Sequence, residues 1–205
     1  MRITRAELTK TIYTPGQYEP FGLPEIAVVG RSNAGKSSLI NRICNNSKLA
    51  RVSSEPGKTR SVNFFTINQA FMLVDLPGYG FARRSAAERR QWAELIEGYF
   101  AKTEALKHLL LLCDIRHDAS EGDLQMVQWL QYYQIPYTLV ATKADKVAKS
   151  KRPMRVAALA RQVQAEGRLA FSATESLGKE ALLEALESAL DKKDIKNFKE
   201  PVTRS

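Results

Sequence analysis

The sequence predicts an α/β fold of three layers: a mostly parallel, six-stranded sheet with one antiparallel edge strand, and helices on both faces. Short apolar segments of strand length alternate with longer segments of helical periodicity, as in consecutive βαβ units. Two strand-like segments between residues 61 and 75 follow each other without a helix. This direct succession predicts an antiparallel hairpin at the edge of the sheet.

The alternation begins at residue 25. Residues 25–29 form a compact apolar run, and residues 36–44 after it have the periodicity of a helix. The two strands of the hairpin, residues 61–67 and 70–75, are separated by a turn-like Asn-Gln pair. The first half of the domain is therefore predicted to contain a strand, a helix and a hairpin, in that order.

The second half continues with a long helix over residues 85–102. Ser85 can cap this helix, because Glu88 stands three residues later at the spacing of a capping box. The remaining predicted strands are residues 109–115, 137–141 and 169–171, and the remaining predicted helices are residues 123–133, 154–166 and 178–190.

The composition is that of a globular domain. The 205 residues are 44% hydrophobic and 26% charged, which excludes a disordered chain. No apolar run is long enough to cross a bilayer, and the N-terminus lacks the apolar core of a secretion signal. Cys44 and Cys113 lie in apolar surroundings without metal-ligand spacing. We therefore expect a cytoplasmic protein with two buried thiols and, without coiled-coil heptads, a monomer.

The formal net charge of +9 leaves two explanations open. Lys and Arg side chains that neutralise phosphates drive nucleic-acid binding through counterion release, so a polyanion is one expected partner. A solvated basic surface is the other explanation. The candidate contacts are Arg83, Arg84, Arg89 and Arg90, then Lys149, Lys151, Arg152 and Arg155, and in the tail Lys192, Lys193, Lys196, Lys199 and Arg204.

The segment GRSNAGKS predicts a phosphate-binding loop, because it fits G-x-x-x-x-G-K-[ST] and lies between a strand and a helix. Its glycines let successive backbone N–H groups converge on a β-phosphate at the positive end of the helix. Lys36 places a positive charge between the β- and γ-phosphates, and the Ser37 hydroxyl is a ligand for Mg²⁺. The predicted phosphate contacts are Gly30, Arg31, Ser32, Asn33, Ala34, Gly35, Lys36 and Ser37.

The segment TKAD, directly after a predicted strand, indicates that the base is guanine. Ionised Asp145 can accept hydrogen bonds from N1–H and the N2 amino group of guanine, whereas adenine has no N1 hydrogen. The Lys143 stem can lie along the base while its amine reaches back to the phosphate loop. Thr142 stands where Asn is more usual, and its hydroxyl can make a local backbone bond. The other predicted base contacts are Ala144, Phe171, Ser172 and Ala173.

Two further segments predict a switch that depends on the γ-phosphate and Mg²⁺. Asp75 ends a strand and can hold Mg²⁺ through a water, while the Gly78 N–H can bind the γ-phosphate. Thr59 offers a second hydroxyl ligand within residues 52–60, a polar segment that the γ-phosphate can order and hydrolysis can release. The predicted metal ligands are Ser37, Thr59 and Asp75. The predicted catalytic residues are Lys36, Thr59, Gly78 and Asn33, and the further nucleotide contacts are Gly57, Lys58, Thr59, Arg60, Ser61, Asp75, Leu76, Pro77 and Gly78.

Taken together, the motifs GRSNAGKSS, LARVSSEPGKTRSVNFF, LVDLPGYGFA, CDIRHD and TKADK resemble the EngB (YihA) subfamily of the TrmE-Era-EngA-YihA-Septin-like GTPases. The resemblance implies a Ras-like G domain over residues 24–190, an N-terminal extension over residues 1–23 and a basic tail over residues 191–205. It also implies a GTP-binding GTPase that acts in assembly of the large ribosomal subunit, with links to cell division and septation.

Two residues refine the expected chemistry. Tyr79 stands where many GTPases have a water-positioning Gln, and a phenol cannot present both an amide donor and an acceptor to the attacking water. We therefore expect intrinsic hydrolysis of GTP either to be slow or to use another group. In related GTPases with a hydrophobic replacement, an Asn at the position of Asn33 helps to bind K⁺, which would neutralise transition-state charge. The alternative is that Asn33 only braces the loop.

Some alternatives stay open at this point. The segment from Asp114 to His117 departs from the family pattern at Asp118, where Pro is expected, and it is assigned no role beyond a strand end with a local ion pair.

The chain could also be a protein-interaction switch in cell division, with an incidental basic charge. An ATP-dependent kinase is disfavoured by TKAD and by the lack of a lid or acceptor-site motif.

Overall fold

The computed structural model describes residues 1–50, 61–80 and 85–191. Within these ranges the chain forms seven strands and five α-helices. All the elements predicted from sequence occur, within a few residues of their predicted ends. The strands are β1 Ala6–Ile12, β2 Glu25–Gly30, β3 Val62–Ile67, β4 Phe71–Asp75, β5 Leu106–Asp114, β6 Tyr137–Thr142 and β7 Gly167–Ala170, and the helices are α1 Lys36–Ile43, α2 Ala86–Lys102, α3 Glu121–Tyr132, α4 Arg152–Gln162 and α5 Lys179–Asp191.

The seven strands form one sheet in the order β1-β3-β4-β2-β5-β6-β7. Strand β2 pairs in parallel with β4 and β5, and β6 pairs in parallel with β5 and β7, while β3 runs antiparallel to both of its neighbours. The carboxyl ends of the parallel strands therefore meet at one edge of the sheet, where ligands bind in folds of this class. The predicted α/β class with a mostly parallel sheet is confirmed.

The sheet differs from the six-stranded prediction at one edge. Residues 6–12, assigned from sequence to an N-terminal extension, form strand β1, which pairs with β3 and takes the edge position. The antiparallel strand β3 is therefore second from the edge. Strand β1 escaped prediction because an edge strand with one solvated face carries few apolar residues: Ile12 is fully buried, but Leu8 is 54% exposed.

The two faces of the sheet are covered by different helices. Alternate residues of β2 point to opposite faces, so Ala27 and Val29 belong to one hydrophobic core, and Ile26 and Val28 to the other. The first core is closed by α2, α3 and α4, through residues that include Leu95, Tyr99, Met126, Leu130, Val156 and Leu159. The second core is closed by α1 and α5, through Leu39, Ile40, Ile43, Leu182 and Leu186.

Two helices begin with capping boxes. Ser85 accepts the Glu88 backbone N–H at 3.2 Å, and the Glu88 carboxylate accepts the Ser85 N–H at 2.9 Å, as predicted. Helix α3 begins two residues before its predicted start because Ser120 and Asp123 form the same reciprocal pair. Among the described residues, no helix is long and apolar enough to span a membrane.

Candidate functional site

The predicted phosphate loop connects the end of β2 to the start of α1. Gly35 adopts φ +90° and Asn33 adopts φ +64°, both in the left-handed region, so the chain turns sharply before Lys36. Gly30 lies so close to β5 that an added Cβ would stand 2.7 Å from the Leu112 carbonyl oxygen. The loop thus ends at the N-terminus of α1, whose first N–H groups have no partner within the helix and can bind an anion.

The side chains of Lys36 and Asp75 are in contact with each other beside the phosphate loop. Both side chains are buried, and the Lys36 ammonium donates a hydrogen bond to Asp75 Oδ1. The second carboxylate oxygen of Asp75 lies 3.4 Å from the side-chain amide of Asn63. Ser37, the next residue of α1, is half-buried. The structure therefore brings Lys36, predicted to neutralise the phosphates, into contact with Asp75, predicted to bind Mg²⁺.

The D-x-x-G segment after β4 lies directly against the phosphate loop. The Leu76 N–H donates to the Val28 carbonyl at 3.0 Å, and the Ser32 N–H donates to the Tyr79 carbonyl at 2.8 Å. A Cβ added to Gly78 would stand 3.2 Å from the Gly30 carbonyl oxygen, so glycine suits this close approach. The Ser32 N–H therefore braces the two loops against each other, although it was predicted as a phosphate contact.

The Tyr79 side chain points away from the phosphate loop into the first core. Its hydroxyl donates to Asp123 Oδ1 at 2.6 Å, and its ring packs edge-on against Trp92. Burial first, and then the charge of Asp123, raise the pKa of Tyr79 well above its ordinary value, so the phenol stays protonated. The Trp92 indole N–H in turn donates to the Pro77 carbonyl at 2.9 Å. Asp123 was not singled out from sequence, because the distance of 44 residues hides the contact.

Thr142 joins the predicted guanine motif to the phosphate loop. Its hydroxyl donates to the Ala34 carbonyl at 2.6 Å and lies 3.2 Å from the Cys113 carbonyl. The local backbone bond expected from sequence is therefore replaced by a contact across 108 residues. The contact forms because the end of β6 lies beside the end of β5, and the phosphate loop passes over both.

Lys143 differs from its prediction. Its backbone adopts the left-handed region with φ +56°, and its amine pairs with Asp114 Oδ2 at 2.9 Å rather than with the phosphate loop. Asp114 also binds Arg116 at 2.7 Å. Burial acts to raise the pKa of Asp114, but the hydrogen bonds from Arg116 and Lys143 outweigh it and hold the pKa well below its ordinary value.

Asp114 thus has a role that the sequence did not indicate, besides the local ion pair that was expected. It faces Thr142 in the register of β5 and β6, so two neighbouring strand ends deliver the carboxylate and the lysine to one place. The sequence feature that points to this role is a polar residue, Asp114, at the end of a buried strand. That strand is the neighbour of the strand that leads into TKAD.

Asp145 contacts the loop after β7, which carries Ser172, another of the predicted base contacts. Its Oδ1 accepts the hydroxyl of buried Ser172 at 2.8 Å, and Lys146 lies 3.3 Å from Oδ2. The hydrogen bond from the Ser172 hydroxyl is the main cause of a lowered pKa for Asp145. The Ala144 N–H donates to the Phe171 carbonyl at 3.1 Å and ties the segments together. An ionised carboxylate held in this way can accept two N–H groups of a guanine edge.

Several predicted residues cannot be placed. Ser61 is buried directly before β3, whereas the rest of the predicted switch segment lies outside the described residues, as do the two arginines before α2 and the basic tail. These are Gly57, Lys58, Thr59, Arg60, Arg83, Arg84, Lys192, Lys193, Lys196, Lys199 and Arg204. Ala173 follows Ser172 at the base side of the site, and Arg31 lies with its side chain over Gly80.

Comparisons with known proteins agree with a guanine-nucleotide site. A family model described as "50S ribosome-binding GTPase" matches residues 25–143. The probable GTP-binding protein EngB of Exiguobacterium sp. is 46% identical over 189 residues, which cover 91% of this chain and 96% of that protein. The EngB of Alkaliphilus metalliredigens is 52% identical over 151 residues, which cover 74% of this chain and 73% of that protein.

Solved structures share the fold. A crystal structure of a probable GTP-binding protein EngB superposes with a TM-score of 0.68 at 22% identity, covering 82% of this chain and 100% of that one. The structure of Era in complex with MgGDPNP and a segment of 16S ribosomal RNA superposes with a TM-score of 0.64 at 20% identity, covering 84% of this chain and 58% of that one.

Proposed function

Since this chain belongs to the EngB family of GTP-binding proteins and is a GTP-hydrolysing P-loop enzyme, we propose that it is a nucleotide-controlled switch in assembly of the large ribosomal subunit. The single observation that best supports a guanine-nucleotide switch is the contact between the guanine motif TKAD and the phosphate loop. The Thr142 hydroxyl donates to the Ala34 carbonyl of the phosphate loop, while the nearby Asp145 carboxylate accepts the Ser172 hydroxyl. These two hydrogen bonds support the proposal that Asp145 binds the base of a nucleotide whose phosphates lie at the phosphate loop.

The residues at the phosphate end fit Mg²⁺ as the metal. A serine hydroxyl at the start of α1 and a buried carboxylate at the end of β4 are the hard oxygen donors that Mg²⁺ prefers. Mg²⁺ would be held by the hydroxyls of Ser37 and Thr59 and, through a water, by Asp75, and would neutralise charge on the β- and γ-phosphates. The chain itself contributes Lys36 as a fixed positive charge and Gly78 as the proposed γ-phosphate contact.

Hydrolysis of GTP is proposed to be slow without a partner. The Tyr79 hydroxyl is bound to Asp123, and the ring faces the core, so this residue orients no attacking water. We propose K⁺ at Asn33 as a source of additional positive charge, because Asn33 is exposed at the phosphate loop in a left-handed turn. Equal rates of hydrolysis in K⁺ and Na⁺ buffers, with and without ribosomes, would contradict this use of Asn33.

The basic surface supports a ribosomal partner. Residues 143–168 carry eight Lys and Arg residues against two acidic ones. Arg152 and Arg155 are bound to Glu175 and Asp118, whereas Lys149 and Lys151 are exposed. The name of the matching family model, 50S ribosome-binding GTPase, points to the same partner. We therefore propose contact with ribosomal RNA through the exposed lysines before α4.

Co-sedimentation with large ribosomal subunits tests this proposal. The protein should pellet with the particles in the presence of a GTP analogue and stay in the supernatant with GDP. Binding should also weaken steeply between low and moderate salt, because RNA contacts release counterions. Equal binding in both nucleotide states would contradict a switch on the ribosome.

A second candidate function is a protein-interaction switch in cell division. Helix α3 contains no Lys or Arg, and two of its large apolar side chains are exposed, Leu124 by 42% and Tyr132 by 67%. A helix whose charged residues are the acidic Glu121 and Asp123 of its first turn suits a protein partner better than RNA. Binding to the partner that is insensitive to salt would favour this function. Either role is proposed for the cytoplasm, which the two free, buried cysteines suit.

A further inference from the structure

Tyr79 occupies the position next to the proposed γ-phosphate contact, yet its side chain makes its hydrogen bond on the opposite side of the loop. The hydroxyl donates to Asp123 at 2.6 Å, within the capping box of α3. The other oxygen of Asp123 accepts the Ser120 N–H at 2.7 Å and the Ser120 hydroxyl at 2.6 Å. The first turn of α3 and the D-x-x-G loop are therefore connected through one carboxylate.

A second contact holds the same loop from α2. The Trp92 indole donates to the Pro77 carbonyl at 2.9 Å, and its ring stacks on Trp129 of α3 with centroids 5.5 Å apart. On its other side the loop is bound to the phosphate loop through the Ser32 N–H and the Tyr79 carbonyl. The loop that contains Gly78 is thus bound to the phosphate loop on one side. On the other side it is bound to Trp92 of α2 and to Asp123 of α3.

The chemistry of these contacts separates a positioning role from mere packing. The aromatic ring of Tyr79 would fill its place in the core even if it carried no hydroxyl. The hydrogen bond from the hydroxyl to the carboxylate of Asp123 adds a fixed direction for the side chain. A backbone N–H that must meet a γ-phosphate benefits from such fixation, because pre-organisation removes the entropy cost of ordering the loop. The nucleoside diphosphate lacks the γ-phosphate and gains nothing from it.

We propose that Tyr79 is a positioning residue that holds Gly78 in place for the γ-phosphate, through its hydroxyl on Asp123, and so favours GTP over GDP. The same bond passes the state of the nucleotide to the N-terminus of α3. This inference rests on the proposed role of Gly78, and it adds a residue that acts from behind the loop without contact to the nucleotide.

The test compares two tyrosine-to-phenylalanine variants. Tyr79→Phe removes only the hydroxyl and keeps the ring against Trp92. Tyr99→Phe is the matched control, because the Tyr99 hydroxyl also donates at 2.6 Å to a buried carboxylate, that of Glu25, at the other end of the sheet. We expect Tyr79→Phe to weaken binding of a GTP analogue roughly tenfold, with GDP affinity within about twofold of wild type. Tyr99→Phe should lower the melting temperature similarly and leave the ratio of the two affinities unchanged.

Two further measurements separate positioning from loss of structure. Trp92→Phe, which removes the indole N–H from the Pro77 carbonyl, should shift the affinity ratio in the same direction as Tyr79→Phe. Hydrogen exchange at the first turn of α3 should be slower with the GTP analogue than with GDP in the wild type, and equal in Tyr79→Phe.

The outcomes are distinguishable. A loss of affinity that is equal for the GTP analogue and GDP, or an unchanged ratio in Tyr79→Phe, would overturn the inference and assign Tyr79 to packing alone. Wild-type protein that binds no guanine nucleotide would overturn both the inference and the proposed site. Failure of co-sedimentation with ribosomal particles would instead contradict only the proposed partner, because the affinity ratio is measured without ribosomes.

Discussion

Single hydrogen bonds orient the side chains at the proposed base site. Ser172 is fully buried, and its hydroxyl donates to Asp145 at 2.8 Å, which fixes the carboxylate and lowers its pKa. Thr142 replaces the more usual Asn, and its single hydroxyl still reaches the Ala34 carbonyl at 2.6 Å. A threonine thus suffices at this position, since one donor is enough to couple the two loops.

Asp145→Asn should change the preferred base. The amide oxygen can still accept one hydrogen bond, but the amide nitrogen would meet the N2 amino group of guanine donor to donor. We expect GTP affinity to fall by about two orders of magnitude, and xanthosine triphosphate, which has a carbonyl in place of that amino group, to bind better than GTP. Competition with a fluorescent nucleotide measures both. Retained preference for GTP would contradict the assignment of Asp145, and ATP should remain a weak competitor in wild type and variant.

Asp114→Asn should remove an acid-sensitive part of the stability. The ion pairs with Arg116 and Lys143 hold the folded-state pKa of Asp114 below its ordinary value. Their stabilisation is therefore present above the unfolded-state pKa of about 3.9 and is lost as the pH falls further. We expect the variant to lose about 1 kcal/mol of unfolding free energy at pH 7, since the pair is partly exposed, and less at pH 3. Urea unfolding at a series of pH values gives the difference, and a pH-independent difference would contradict this account.

At the scale of elements, strand β1 is part of the sheet and of its core. It pairs with β3 over residues 6–12, and its last residue, Ile12, faces Val62 in the register and is fully buried. Tyr18, soon after it, donates to Glu25 at 3.0 Å, and Glu25 also accepts the Tyr99 and Thr103 hydroxyls. The N-terminal segment is therefore attached to β2 and α2 at the end of the sheet away from the nucleotide loops.

Ile12→Ala should destabilise the whole domain, because it removes a buried side chain from the first core. We expect a loss of about 2–4 kcal/mol in the free energy of unfolding, measured with urea. Leu8→Ala on the same strand is the control: Leu8 is 54% exposed, so its truncation should cost less than about 1 kcal/mol. Equal effects of the two substitutions would contradict the register of β1.

At the scale of the whole molecule, charge is distributed unevenly across the sheet. Strands β1 and β7 form opposite edges, and the basic residues 143–168 lie beside β6 and β7. Helix α4 has no acidic residue, and Lys149 and Lys151 are exposed just before it. The net charge of +9 thus includes a basic region concentrated next to the proposed base site.

Reversal of charge at this edge should weaken binding to ribosomal particles. The double variant Lys149→Glu/Lys151→Glu should lower the affinity for large subunits at least tenfold and reduce its salt dependence. Arg2→Glu/Lys10→Glu makes the same change in net charge at the β1 edge and should have a smaller effect. Equal losses would show that net charge alone matters. Nucleotide affinity, measured in both variants, checks that the proposed site is intact.

The sequence by itself determined the α/β class, ten of the twelve regular elements to within about two residues at their starts, and the phosphate and guanine motifs. These depend on local spacing: the glycine that turns the chain before Lys36, the apolar runs that make buried strands, and the Ser85–Glu88 capping box are each recognised within a few residues. The predicted identity of the nucleotide likewise rests on one carboxylate in a short motif.

Only the tertiary structure decided which distant side chains meet. The pairing of Lys143 with Asp114, of Tyr79 with Asp123 and of Thr142 with Ala34 joins residues 29, 44 and 108 positions apart. No sequence spacing encodes these contacts, because the parallel sheet brings its strand ends together through crossover helices of variable length. The existence of strand β1 also depends on tertiary contacts. Its mostly polar residues form a strand because the edge of β3 supplies their hydrogen-bond partners.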